Sequence, residues 1–213
     1  MKKIVLLIAC FVASVAYAQD YSKYIFNVGG GVGIPVGSTS NYTKVNGNAV
    51  IGGGYNFSRI VGMTAEFMWH GLPPSTGLKN RYPNTNLNAS SNLYSVTGNF
   101  IFRVPTQGKF GFYGIGGGGW YHRNWSLNET VLVPGTVCTG YTYWFGVSCV
   151  NGLVETNATV RSGSTNGGGM NVGAGLTFGR AAGAKFYTEA RYHVAWFNHT
   201  NTHVLPVTFG VRW

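Results

Sequence analysis

The sequence has few charged residues and very few acidic ones. Only 9% of its 213 residues are charged, and Lys and Arg outnumber Asp and Glu by 15 to 5. Disordered chains are rich in charge and poor in aromatic residues, whereas 15% of this chain is aromatic. The composition therefore argues against a disordered protein, and the length suits one domain or one small barrel.

Long apolar runs are absent after the N-terminal segment. That segment starts with two lysines, continues with mostly apolar residues up to Val15, and ends with the triplet Ala-Tyr-Ala at 16–18. The run is too short to cross about 30 Å of hydrocarbon as a helix, and the pattern is that of a secretory signal. We expect a signal peptide over 1–18, cleavage after Ala18, and one mature domain over 19–213.

Basic runs longer than two residues are also absent, although the formal charge is +10. A basic protein often binds nucleic acid through such runs, but an exported chain without them is not expected to do so. Lysines and arginines in loops that face the phosphates of lipopolysaccharide are a more natural use of this charge.

Only two cysteines remain in the mature chain, Cys138 and Cys149. An even number in an oxidising compartment predicts a disulfide. Two sulfurs without a nearby histidine make only half a zinc site. The glycine runs at 29–31 and 116–119 lack the lysine of a phosphate-binding loop. We therefore expect no metal and no cofactor.

The mature chain alternates between apolar residues and small or polar residues with a period of two, which indicates β-strands. The predicted strands are 24–34, 47–57, 61–71, 93–104, 110–122, 167–180, 184–197 and 204–213. A β-sandwich with an apolar core alternates in the same way. Periodicity alone therefore leaves both a sandwich and a membrane barrel open.

The connections and the aromatic residues favour a membrane barrel. The predicted connections are short on one rim, whereas the other rim carries longer ones, of which 123–166 is the longest. Such asymmetry and two aromatic belts are typical of outer-membrane barrels. The predicted belts contain Trp69, Trp120 and Trp196 at the long-connection end, and Phe57, Phe102, Phe178, Phe186 and Trp213 at the short-turn end. The predicted fold is all-β, an eight-stranded antiparallel up-and-down transmembrane β-barrel.

With its signal, eight alternating segments and terminal Val-Thr-Phe-Gly-Val-Arg-Trp at 207–213, the chain resembles the OmpA-like transmembrane domain, among the small eight-stranded outer-membrane barrels. The resemblance implies location in the bacterial outer membrane, surrounded by lipid and lipopolysaccharide. It also implies that the strand ending at Trp213 is recognised by the barrel-assembly machinery. Longer members continue into a peptidoglycan-binding domain, and we do not expect cell-wall tethering in a sequence that stops at Trp213.

Four ionisable residues fall on the face predicted to point into the barrel: Glu66, Glu189, Arg191 and His193. Buried charges need partners. The interior of an eight-stranded barrel is so narrow that side chains can fill it. We predict that Glu66 and Arg191 pair across the lumen and help to plug it. A gate or ion path through the same residues is the alternative.

The leading functional prediction is a structural role with surface interaction through the outer loops. Loop 123–166 is the candidate site for a surface ligand, although its aromatic residues are also compatible with a lid that packs on itself. The first alternative is a narrow porin-like channel for small solutes. The second is a lipid A-modifying enzyme, which we disfavour because His199 has no well-placed serine and glutamate nearby in the sequence.

Overall fold

The computed structural model describes residues 22–75, 87–106, 109–140, 147–179, 183–198 and 200–213. The predicted signal peptide lies outside these residues. The strands are β1 (Tyr24–Pro35), β2 (Asn46–Asn56), β3 (Val61–Gly71), β4 (Leu87–Val104), β5 (Phe110–Gly140), β6 (Val147–Gly179), β7 (Lys185–Trp196) and β8 (Thr202–Arg212). A short 3-10 helix, Gly37–Asn41, follows β1. No helix within the described ranges combines the length and hydropathy needed to span a membrane.

The eight strands form a closed barrel in sequence order, with every neighbouring pair antiparallel. The first and last strands pair with each other and close the ring. Beyond the end of β8, the backbone N–H of Trp213 donates to the carbonyl of Phe26 at 2.9 Å, and the N–H of Phe26 donates to the carbonyl of Trp213 at 2.7 Å. This architecture confirms the predicted fold class, and closure leaves no unpaired edge along the seam.

Alternation along each strand separates an outer apolar surface from a packed interior. In β3, Met63 and Phe67 are exposed on the outside, while Thr64, Glu66 and His70 are buried inside. Successive side chains of a strand point to opposite faces. The period-two pattern of the sequence therefore marks which side chains face the surroundings and which face the lumen.

Strands β5 and β6 are much longer than the sequence pattern predicted. The prediction of a loop over 123–166 is wrong for the described part of that segment, because β5 continues to Gly140 and β6 begins at Val147. Similarly, β4 begins at Leu87 rather than at residue 93. The extra length shows no clean alternation of apolar and polar residues, since its residues are half-buried or exposed on both faces and neither face must be apolar.

The interior is not uniformly polar. An apolar cluster near the long-connection end contains Leu72, Leu93, Tyr121, Ala195, Phe197 and Val204. A second cluster near the short-turn end contains Ile25, Ile101, Tyr113 and Ile115. The expectation that the inward faces are only small or polar is therefore wrong, because Leu93 and Ile101 point inward from β4.

Glycines give the narrow barrel room for its larger interior side chains. A Cβ atom built on Gly169 of β6 would lie only 2.5 Å from Cε2 of Tyr121. At Gly117 of β5 it would overlap the carbonyl oxygen of Gly98 on β4, whereas at Gly116 the nearest atom is 3.5 Å away. The run at 116–119 thus permits close packing at Gly117.

Candidate functional site

The centre of the barrel contains an ion pair that joins opposite walls. Glu66 points inward from β3 and Arg191 points inward from β7, four strands away around the ring. Arg191 Nη1 donates to Glu66 Oε2 at 2.6 Å, and both side chains are at most 2% exposed. Asn27 Nδ2 and Asn99 Nδ2 donate to the two carboxylate oxygens of Glu66, each at 3.0 Å. The carboxylate of Glu66 is therefore held by three donors from three strands.

A second carboxylate balances the guanidinium from the same strand. Arg191 Nε donates to Glu189 Oε1 at 2.8 Å, and Arg191 Nη2 bonds the same oxygen. Tyr113 OH donates to Glu189 Oε2 at 2.8 Å. Arg212 Nη2 lies 3.5 Å from that oxygen and adds a second positive charge. The structure thus brings Glu66, Glu189 and Arg191 into one network and adds Tyr113 and Arg212 to it.

His193 lies outside this ion network and in a neighbouring layer of the interior. Its Nδ1 is hydrogen-bonded to Tyr121 OH at 2.9 Å, and its ring is 5.7 Å from that of His70, edge to face. Both histidines are buried. Within the described ranges, no three His, Cys, Asp or Glu residues are grouped so that they could hold a metal ion.

The two apolar clusters and the ion pair between them oppose the passage of ions. The pair of Glu66 and Arg191 lies between the two apolar clusters, and Glu189 is balanced by Arg191 and, from the side of the short-turn end, by Arg212. A solute crossing the barrel would have to displace buried apolar side chains and separate a paired charge in a low-dielectric interior, which is costly. The arrangement can plug and brace the barrel.

The predicted aromatic belts lie on the outer surface. Trp120, Trp196 and Trp213 are about half exposed, as are Phe57, Phe102 and Phe178, and Phe186 is 67% exposed. Trp69 is less exposed, because its Nε1 donates to Asn92 Oδ1 at 3.1 Å on the adjacent strand. Aromatic rings at both ends of an apolar outer surface are typical of the two membrane interfaces.

The long strands continue beyond the barrel as a two-stranded ribbon. Pairing between β4 and β5 ends at Leu87 and Glu129, while β5 and β6 stay paired as far as Gly140 and Val147. We call residues 130–140 and 147–157 the ribbon. About 11 residues per strand correspond to a projection of about 35 Å.

The ribbon has a disulfide near its tip and two exposed faces. Cys138 and Cys149 lie directly opposite each other and are bonded, as predicted. Val133 and Val154 are opposite on one face. Leu132 and Leu153 lie on the other face and are about 60% exposed. The aromatic residues predicted near this tip, at 141 and 143–145, lie outside the described residues, as does His199.

A family comparison identifies the architecture. Residues 4–212 match the family described as outer membrane protein beta-barrel domain. The chain belongs to this family. The match confirms the predicted resemblance, and membership indicates the bacterial outer membrane. Short turns face the periplasm in such barrels and longer connections face outward, so outward is the orientation that we expect for the ribbon of this outer-membrane barrel.

Solved structures of other barrels show the same fold. The Neisserial surface protein NspA is 13% identical, with a TM-score of 0.54 over 90% of this chain and 96% of that one. A major outer membrane protein from Thermus thermophilus is 8% identical, with a TM-score of 0.55 over 90% of this chain and 99% of that one. A comparison with curated proteins finds no match.

Several residues of the interior network escape sequence reasoning. Asn27, Asn99 and Tyr113 hydrogen-bond the carboxylates of this outer-membrane barrel, but polar residues on an inward face are common and carry no individual signal. Arg212 is buried at 6% exposure although it is the penultimate residue. Its inward position follows from the alternation of β8, in which Thr208 is also buried, and that parity was the available signal.

Proposed function

We propose that this protein is a non-conducting outer-membrane barrel that anchors the ribbon outside the cell for recognition of a protein partner. The observation that carries the proposal is the extension of β5 and β6 beyond every other strand, closed by a disulfide. A barrel needs strands of only about 9–11 residues to span the membrane. The additional residues therefore serve a purpose outside it.

The ribbon offers a partner both apolar surface and free backbone. Pairing of β6 with β7 begins only at Gly168, so the outer edge of β6 in the ribbon has no partner strand among the described residues. An unpaired edge is a template for an added strand. The apolar side chains beside it would bury surface when a partner binds.

Isolated two-stranded hairpins are marginally stable in water, and this explains the position of the disulfide. The covalent bond between Cys138 and Cys149 holds the two strands in register close to the tip. A ribbon ordered before binding loses less conformational entropy when it meets its partner. We expect the bonded form to be the binding form.

The membrane surroundings enter the proposal in two further ways. The aromatic belts support contact with outer-membrane lipid, and the exposed Lys44 at the outer end suits the phosphates of lipopolysaccharide. The terminal strand with its exposed Trp213 suits recognition by the barrel-assembly machinery. Export with cleavage after Ala18 stays a prediction.

Deletion of the ribbon tests the proposal directly. Glu129 and Ala158 are opposite each other, so an Asn-Gly turn can replace residues 130–157 and close the hairpin. Cells displaying each version are compared for adherence to one another, to cells of other kinds and to immobilised proteins. We expect the deletion to lower adherence. Equal adherence in every assay, with equal amounts of folded barrel, would overturn the proposal.

A matched pair of variants locates the contact on the ribbon. The double substitution V133S and V154S removes apolar groups from one face, and L132S with L153S removes them from the other. A partner that docks on one face responds to one pair only, and strand addition alone leaves both pairs near wild type. Conductance in planar bilayers and the mass spectrum of lipid A separately address the channel and enzyme alternatives.

A further inference from the structure

The periplasmic mouth of the barrel contains a cavity with an unbalanced charge. The cavity has a volume of about 640 Å³, and its lining includes Arg59, Arg103, Lys185 and Arg212. Its lining contains no Asp or Glu among the residues that the structure describes. A space of this size accommodates a small ligand, and its lining predicts a negatively charged one.

Three of the four cations of this mouth, Arg59, Arg103 and Lys185, form no ion pair with a carboxylate among the described residues. The chain has only five acidic residues. Of the four in the described ranges, Glu66 and Glu189 belong to the central network, while Glu129 and Glu155 lie on β5 and β6 outside the barrel. Within those ranges, the ion pairs involve only Arg191 and Arg212. Arg59, Arg103 and Lys185 therefore pair with none of those four carboxylates.

The strand register places like charges directly against each other. Lys185 and Arg212 are opposite one another in the β7–β8 pair, and like charges directly opposite destabilise a sheet. Arg103 is an electrostatic neighbour of both. Such a cluster is unfavourable by itself and becomes favourable when an anion lies between its members.

Arg212 is an independent indication of a ligand, because its ion pair with Glu189 at 3.5 Å leaves its guanidinium without a hydrogen-bond acceptor. Its side chain is buried, yet none of its three guanidinium nitrogens has a hydrogen-bond partner among the described residues. The guanidinium lies 4.7 Å from the ring centroids of both Tyr113 and Tyr187. The rings hold the group in place, but they leave its N–H donors without acceptors. A buried guanidinium with free donors is suited to a planar or tetrahedral oxyanion.

We propose that the periplasmic mouth is a binding site for a phosphate-type oxyanion, with Arg103, Lys185 and Arg212 as its main ligands. Two sources share this chemistry: a soluble phosphate or phosphate ester of the periplasm, and the headgroup of a phospholipid in the inner leaflet. The site lies at the opposite end of the barrel from the ribbon. It is therefore independent of surface recognition.

The experiment measures thermal unfolding of the refolded mature protein in an uncharged detergent. The probes are inorganic phosphate and the short-chain lipid dihexanoyl phosphatidic acid, with sodium chloride at equal ionic strength as the control. Ligands that bind only the folded state raise the unfolding midpoint. Stabilisation by inorganic phosphate assigns the site to a soluble anion, and stabilisation by the lipid alone assigns it to a headgroup.

The double variant with R103Q and K185Q separates anion binding at this site from general salt effects. We expect this double variant to need at least about ten times more of the stabilising probe for the same rise in the unfolding midpoint, because charge-assisted hydrogen bonds are lost. It should also raise the unfolding midpoint without any probe, because a repulsion is removed. The control pair K44Q and R161Q removes the same charge from the outer end and should respond like wild type.

Two results would overturn the proposal. One is a wild-type midpoint that neither probe raises beyond the effect of chloride. The other is an equal response of wild type, the R103Q and K185Q pair and the control pair, since general screening would then explain it. Intact folding of each variant is checked by its gel mobility with and without heating.

Discussion

The ion pair between Glu66 and Arg191 provides the sharpest test of the barrel interior. Substituting Arg191 with Gln leaves two buried carboxylates without their shared counter-ion, while the amides of Asn27 and Asn99 still donate to Glu66. Removing one partner of a buried ion pair costs about 3–5 kcal/mol. We expect the free energy of unfolding to fall by about this amount.

The measurement is equilibrium unfolding by urea in lipid vesicles, followed by tryptophan fluorescence. The double variant E66Q and R191Q should recover part of the loss, because the stranded charge on Glu66 is removed as well. The control R161Q changes an exposed arginine of β6 and should stay within about 0.5 kcal/mol of wild type. A loss below about 1 kcal/mol for R191Q, or no recovery in the double variant, would refute the idea that this pair braces the barrel.

Three further predictions concern the ribbon, the glycines and the lumen. Reducing the bond between Cys138 and Cys149 should lower the stability of the ribbon by about 3 kcal/mol in the chain-entropy model, seen as faster amide exchange in the ribbon with an unchanged barrel. Substituting Gly117 with Ala should destabilise the barrel by about 1–3 kcal/mol through overpacking, whereas Ala at Gly116 should be nearly neutral; equal unfolding curves for the two would contradict the packing described. The folded protein should give no discrete conductance steps in a planar bilayer, and reproducible steps altered by substituting Arg191 would favour the channel.

The sequence was informative wherever one face of a strand meets the membrane. The exposed Met63 and Phe67 alternate with buried polar residues in β3, and this contrast determines both the strand and its orientation. Strand order alone places β3 and β7 on opposite sides of the barrel. The contact between Glu66 and Arg191 could therefore be predicted from the sequence.

The remaining features depend on surroundings that no local pattern encodes. In the ribbon, Leu132 and Val133 are adjacent and both exposed, so a strand there produces no alternation. The inward Leu93 and Ile101 form apolar layers because of what faces them across the lumen. The positive charge of the periplasmic mouth depends on the register of β7 and β8, since Lys185 and Arg212 are 27 positions apart in the sequence and adjacent only in the sheet.

The seam between β1 and β8 has a consequence for biogenesis. The barrel closes through bonds between residues near the two ends of the chain, including those of Phe26 with Trp213. Contacts between such distant segments form slowly, and until they form, both terminal strands have open edges that invite aggregation. Completion of the cylinder therefore has to wait until the final strand is available, and the edges of β1 and β8 need protection from other chains until then.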